Sequence, residues 1–390
     1  MGCVGNRNHK KDIVNENFDF ASTQFWVAVA EVEKAKEYET PGKVSPRTVD
    51  PDGSLNLVGS RDWTSGFFPG SLWYMYEYTK QDQWKELAIK YTAPIEVEKM
   101  NGVTHDMGFK VYCSFGNGYR LTGNQNYRDI LLQSAQTLIT RFKPNAGVIR
   151  SWDHSKDKWQ SPVIIDNMMN LELLFWAFNE TKDSVYYNIA VSHAKKTIEN
   201  HFRKDFSSYH VIDYDTITGE VLNRHTHQGY AHESAWARGQ AWGLYGYIMC
   251  YRETKEPVFL EQAKAIANYI FTHKNLPADL IPYWDFDAPE IPDEPRDVSA
   301  ATITASALYE LGLYDAANAA KYKQWADTIL EHLSKDYRAG LGENRGFLLL
   351  HSTGSKPTDL EVDVPLSYAD YYFLEALLRK QKLESAEIVK

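Results

Sequence analysis

The feature that most limits how this chain can fold is a threonine that recurs at the ends of helical runs. Thr79, Thr122, Thr181 and Thr254 each close an apolar helical pattern with a short polar turn. The fifth residue after each is aromatic: Trp84, Tyr127, Tyr186 and Phe259. Ala88, Ala190 and Ala263 fall nine positions after their threonines, with Leu131 in the second copy. Self-similarity of this kind marks stacked helical hairpins, because a single hairpin cannot bury its apolar face alone. Successive threonines are 43, 59 and 73 residues apart, so the tight turns stay constant while the other connections lengthen. Insertions therefore gather at one end of the stack.

Helical periodicity predicts twelve helices, beginning near Phe18, Gly66, Asp82, Asp106, Gln125, Ile164, Asp183, Glu233, Pro257, Val298, Ala316 and Pro365, and strand-like alternation is rare. Twelve helices paired as six hairpins, with one elaborated face, describe an all-α (α/α)6 barrel whose six inner helices start at the functional end. An open helical solenoid is the competing layout, and six hairpins of globular composition favour closure. The expected organisation is one barrel domain over residues 18–382, preceded by a flexible segment, 1–17. Leu171 to Phe178 is the richest apolar stretch and is far too short to span a bilayer. A net charge of −10 argues against nucleic acid as a partner, since phosphate binding needs a basic face. The sequence sets no oligomeric state. Cys113 and Cys250 sit in apolar helical patterns and read as small buried hydrophobes. Cys3 differs: Met1-Gly2-Cys3 followed by polar residues resembles a bacterial lipoprotein just after signal removal. A periplasmic or cell-surface location is the expectation it raises, with the cytoplasm as the alternative.

The longer connections, Leu55 to Gly70, Val148 to Pro162, Tyr209 to His232 and Pro282 to Asp297, concentrate Trp, His, Asp, Gly and Pro. Each runs toward the start of an inner helix. Asp62-Trp63 precedes one start, His105-Asp106 opens a second, Asp166-Asn167 a third, and Trp236 to Trp242 lies in the first turns of a fourth. Any one of these aspartates reads as an ordinary helix N-cap. Together, around one pocket, Asp106 and Asp166 converge beside Arg238 and His210. Two neighbouring carboxyls cannot both ionise cheaply, so one is expected to rise in pKa and become a usable general acid. Paired carboxylates in an aromatic pocket suit glycoside chemistry, with Trp63 and Trp152 as stacking platforms and Arg238 as partner for an anionic group. The cluster His225, His227 and His232 lacks the Cys and Glu partners of common metal patterns, so neither metal nor other cofactor is expected. Gly-rich phosphate loops and Gly-x-Ser-x-Gly are absent. Gly116-Asn117-Gly118 reads as close helix packing.

Five motifs in order carry a resemblance. They are His105-Asp106-Met107-Gly108-Phe109, Ile165-Asp166-Asn167-Met168-Met169-Asn170, Thr226-His227-Gln228-Gly229-Tyr230, Trp236-Ala237-Arg238-Gly239-Gln240-Ala241-Trp242-Gly243, and Asp363-Val364-Pro365-Leu366-Ser367-Tyr368-Ala369-Asp370-Tyr371-Tyr372. From about Leu55 to Leu378 the chain resembles the unsaturated glucuronyl hydrolases of glycoside hydrolase family 88. The resemblance implies the (α/α)6 barrel, and it implies an unsaturated uronic-acid oligosaccharide as substrate. It also implies an unusual reaction: hydration of the C4–C5 double bond that polysaccharide lyases leave in a terminal uronic acid. On that carry-over Asp166 is general acid and base, and Asp106 is the second carboxylate. His210, Gln228, Trp236, Arg238 and Trp242 surround the sugar and its carboxylate, and Ser355 and Lys356 lie where the leaving saccharide is met. A sister family of unsaturated rhamnogalacturonyl hydrolases usually has Asn where this chain has Gln240 and lacks the His-Asp motif. An epimerase on the same barrel would use paired histidines, and a non-catalytic glycan-binding protein would not need both aspartates.

Overall fold

The recurring threonines do at atomic level what their spacing suggests. The hydroxyl of Thr79 donates to the carbonyl of Met75, Thr122 to Gly118, Thr181 to Ala177 and Thr254 to Cys250, at 2.7, 2.6, 2.7 and 2.8 Å. Each oxygen then accepts the backbone N–H two residues on. The residue between, Lys80, Gly123, Lys182 or Lys255, is left-handed, with φ of 58°, 67°, 61° and 58°, which ends a helix within one residue. The aromatic that follows is buried in all four copies, as are Ala88, Leu131, Ala190 and Ala263. One device thus turns the chain from an inner to an outer helix four times.

The computed structural model describes residues 12–37 and 42–388; Cys3 lies outside them. The helices are α1 (Ile13–Lys36), α2 (Phe67–Thr79), α3 (Asp82–Thr92), α4 (Asn117–Thr122), α5 (Gln125–Ile139), α6 (Leu171–Thr181), α7 (Ser184–His201), α8 (Ala237–Thr254), α9 (Pro257–Thr272), α10 (Val298–Tyr314), α11 (Ala319–Asp336) and α12 (Ser367–Ile388). Even-numbered helices form the inner ring. α12 packs on α2, α2 on the π-helical turns Gly108–Gly116 that lead into α4, these turns on α6, α8 on α10, and α10 on α12. The link between α6 and α8 is made by α6 itself and by the 3-10 turns Ile165–Asn170 that precede it. The ring closes, so the chain is an (α/α)6 barrel and not an open solenoid. Among the described residues no helix is long and apolar enough to cross a membrane.

The first helix departs from expectation. It begins at Ile13, not Phe18, so residues 13–17 are helical. Asp12 caps it by accepting from Val14 N at 3.0 Å, and the buried Asn17 donates to Ser334 at 2.9 Å, tying this turn to α11. The final helix likewise runs past residue 382.

Among the described residues nine short strands form four small sheets, all in connections that lead from an outer to an inner helix. They are β1 (Lys43–Val49) with β2 (Leu55–Gly59), β3 (Phe142–Lys143) with β4 (Val148–Ile149), β5 (Pro162–Ile164) with β6 (Val211–Tyr214) and β7 (Val221–His225), and β8 (Ser352–Ser355) with β9 (Leu360–Val364). They build the elaborated face. Close approach beneath it depends on glycine: a β-carbon on Gly108 would stand 2.7 Å from Asn170 Cα. Asn170 Oδ1 accepts from Gly108 N at 2.8 Å, which joins the second inner helix to the third. Gly118 is similarly pressed against Tyr127 and Trp73, the close packing its sequence context predicts.

Candidate active site

Asp166 owes its position to three-residue β5. Pairing sets Ile164 opposite Val211, and Ile165 N donates to His210 O at 3.1 Å, so Asp166 and His210 emerge side by side. Asp166 is only 8% exposed, and its Oδ2 has no partner within the protein. Facing it at 3.5 Å is His210 Nε2, also without a close partner. The other ring nitrogen settles the tautomer: His210 Nδ1 accepts from the backbone N–H groups of His227 and Gln228 at 3.2 and 3.1 Å. A neutral ring accepting at Nδ1 carries its proton on Nε2, directed to the carboxylate side.

Asp106 stands at the start of the neighbouring inner segment, in different surroundings. His105 Nε2 lies 3.1 Å from one of its oxygens and Thr104 donates to the other at 2.5 Å. The strand-like pairing of Thr104 with Trp152, and the bond from His105 N to Ser151 O, join this turn to the Trp152 connection. Burial pushes the Asp106 carboxyl up, but the His105 charge and hydrogen bond, the Thr104 hydroxyl and the more distant Lys110 outweigh it. The net direction is below the usual carboxylate range. Only one carboxyl of the pair is expected to rise, and Asp106 is not that one: its own neighbours stabilise its charge.

Arg238 is also corrected. The reading from sequence leaves its guanidinium free to meet an anion. In the structure Nη1 donates to Asp297 at 2.8 Å and to Thr353 O at 2.6 Å, and Nη2 donates to Gly354 O at 2.6 Å. The side chain is buried beneath the Trp236 ring, 4.5 Å from its centroid, and beside Tyr368. Arg238 therefore holds the first strand of the β8–β9 hairpin from below with its two terminal nitrogens, while its Nε–H stays buried without a partner. Gln228 grips the same hairpin, donating to Gly354 O at 3.0 Å.

The tryptophans separate into two kinds. Trp236 packs on the His210 ring at 4.5 Å, and Trp152 lies against His154, Trp159 and His227. Trp236 therefore borders the Asp166–His210 pair directly, and Trp152 reaches it through His227, whose ring lies 6.4 Å from that of His210. Trp242 is fully buried between Phe109 and Tyr372, and half-buried Trp63 packs on Phe67, Phe109 and Tyr368. These two form the layer under the site. Ser355 is buried and accepts from Thr358, while Lys356 is exposed at the hairpin turn.

His105 and Tyr368 belong to the same neighbourhood without being singled out as site residues from sequence, and His227 is weighed there only as part of a histidine cluster. His105 and Tyr368 are visible only as members of motifs, and the Tyr368 hydroxyl is buried without a partner. Gln240 has a role spacing could not reveal: it accepts from Ser208 N at 2.7 Å and donates to Phe206 O, bracing the turn before His210. His225 and His232 stack on each other at 4.3 Å. Among the described residues no three His, Cys, Asp or Glu side chains gather as a metal site.

Residues 46–373 match the model of Glycosyl Hydrolase Family 88. The chain is 52% identical over 331 residues to an unsaturated glucuronyl hydrolase of Formosa agariphila, covering 84% of this chain and 82% of that protein. It is 34% identical over 338 residues to an unsaturated chondroitin disaccharide hydrolase of Streptococcus pneumoniae, covering 85% of each. Among solved structures, an unsaturated glucuronyl hydrolase specific for heparin superposes with a TM-score of 0.88 at 48% identity, over 94% of this chain and 98% of that one.

Proposed function

The chain belongs to glycoside hydrolase family 88, and from that premise we propose that it removes 4,5-unsaturated glucuronic acid from the non-reducing end of lyase-generated oligosaccharides by hydrating the C4–C5 double bond. One observation carries this reading to the site. Asp166 Oδ2, His210 Nε2 and the indole N–H of Trp152 are all buried without a protein partner. Buried polar atoms are normally paired, so three such atoms from three segments of the elaborated face mark a surface built to bind a polar ligand.

The reaction follows from a vinyl ether's basicity at C4. The Asp166 carboxyl gives its proton to C4, and the positive charge left at C5 is shared with the ring oxygen. The Asp166 carboxylate then accepts a proton from the water whose oxygen bonds to C5. The resulting hemiketal opens to a C5 ketone, its ring oxygen taking a proton, and C1, now a hemiacetal carbon, expels the neighbouring sugar. One carboxyl serves both steps. His210, locked with its proton on Nε2, orients Asp166 from one side. Asp106, kept ionised by His105 and Thr104, accepts hydrogen bonds from sugar hydroxyls, and Trp152 and Trp236 flank the ring. Gln228 and Arg238 hold the β8–β9 hairpin over the site.

Incubation with lyase-generated disaccharides should abolish the ultraviolet absorbance of the conjugated uronate, while saturated glucuronides stay intact. Equal cleavage of saturated glucuronides would mean ordinary attack at the anomeric carbon.

A further inference from the structure

One wall of the site carries charge that the hydration mechanism does not use. Trp152 and Trp159 meet edge to face at 5.5 Å, with His154 stacked flat on Trp152 at 5.1 Å. His227 lies across both indoles, 5.8 Å from each ring centre, and its backbone N–H is one of the two that lock His210. The wall is therefore continuous with the catalytic pair. The His227 ring is open to the outside on one side. Burial on its other sides, then the neighbouring His210, His154 and Lys158, drives its pKa down to about 4, against a smaller pull from Asp166. The imidazole is neutral at working pH: it can exchange hydrogen bonds with sugar hydroxyls but cannot serve as the cation of this wall.

Lys158 can. It is exposed, its ammonium lies 5.8 Å from the Trp159 ring centre, and its charge is felt at His227. Among the described residues no carboxylate comes within ion-pair distance of it. Asp153, the nearest acidic residue toward Trp152, is taken up by Arg141 and Arg150 at 3.0 and 3.2 Å. That leaves Asp157, exposed and flanked in the chain by Lys156 and Lys158. In a chain of net charge −10, this is an aromatic cluster whose indoles keep only 9% and 4% of their surface open, with a spare cation at its edge.

Resting on the unsaturated-uronate reading, we propose that Trp152, Trp159 and His227 form the wall against which the sugar next to the unsaturated ring lies, and that Lys158 meets an anionic substituent on that sugar. Flat sugar faces pack on indoles, and an ammonium on a flexible stem meets sulfate or carboxylate as a point charge.

The test uses three unsaturated disaccharides, whose second sugar bears a sulfate, a carboxylate or neither. Their affinities are measured by calorimetry in an Asp166→Asn background, so that binding is read without turnover. Adding Lys158→Gln should weaken an anionic disaccharide about three- to fivefold, the scale of an exposed ion pair, with the uncharged one changed less than twofold. Loss for only one anion identifies the group recognised. Lys158→Arg should restore affinity, and the difference should shrink with added salt. Equal changes for all three ligands, no change, or the selective loss appearing in Lys356→Gln instead would overturn the proposal. Failure of the parent reading shows separately, as wild-type protein that leaves the absorbance of all three disaccharides intact.

Discussion

The two ends of the barrel both bury polar side chains, and they treat them in opposite ways. At the end where the threonine turns lie, a cavity of about 310 Å³ is lined by Glu77, Arg120, Glu172, Arg252, Glu375 and Arg379 among others. There the charges are matched: Arg252 pairs with Glu172 and Glu310, Arg379 with Glu310, and Arg120 with Glu77. Glu375 accepts from the Tyr74, Tyr245 and Ser306 hydroxyls. At the elaborated end, Asp166, His210, Trp152, Trp242 and Tyr368 keep polar atoms without partners. Buried charge by itself therefore does not mark a site, and neither does a lone unpaired atom such as Trp84 Nε1 beside a threonine turn; unspent hydrogen-bonding capacity gathered about a carboxylate does.

Substitutions can break this contrast from either side. The largest expected effect is Asp166→Asn, which fits the same space but cannot pass a proton. Turnover should fall about a thousandfold or more, with thermal unfolding unchanged. Residual activity near wild type would remove Asp166 from the mechanism. At the other end, Arg379→Met strands Glu310 beside a single remaining arginine and should cost about 3 kcal/mol in denaturant unfolding, while kcat stays within about twofold. A large loss of kcat there would tie the second cavity to catalysis. Thr181→Ala removes one turn device and should cost about 1 kcal/mol, again without kinetic effect.

The smallest effect concerns pH. The folded state holds the Asp106 carboxyl below its unfolded pKa, so ionised Asp106 adds stability above about pH 4. That contribution is lost as pH falls through the lower folded value. The melting temperature of wild type should drop more steeply in this acid range than that of Asp106→Asn. Parallel curves would show that His105 and Thr104 do not stabilise the charge.

The rear of the barrel was the more legible half. Thr79, Thr122, Thr181 and Thr254 act through bonds to residues within four positions, so their pattern survives in one dimension and gives both the hairpins and the polarity of the barrel. At the front, the motifs located Asp106 and Asp166, and the resemblance and the aromatic-rich connections added His210 and Trp152, but none of these gave their relations. β5 is three residues long, too short to show alternation, yet its pairing with β6 is what sets Asp166 beside His210. Arg238 meets Thr353 and Gly354 across more than a hundred residues, and nothing near Arg238 in sequence announces those carbonyls. The early start of α1 was hidden for a similar reason: its polar first turn is held by Ser334 on a distant helix.

The central claim is that a proton goes to C4 and water to C5, with the double bond consumed. Nuclear magnetic resonance of the product formed in deuterated water tests it most directly. Released uronate should carry one deuterium at C4, in a single configuration, and a ketone at C5. Release of a uronate that still has its C4–C5 double bond at early times, with no deuterium at C4, would contradict the account.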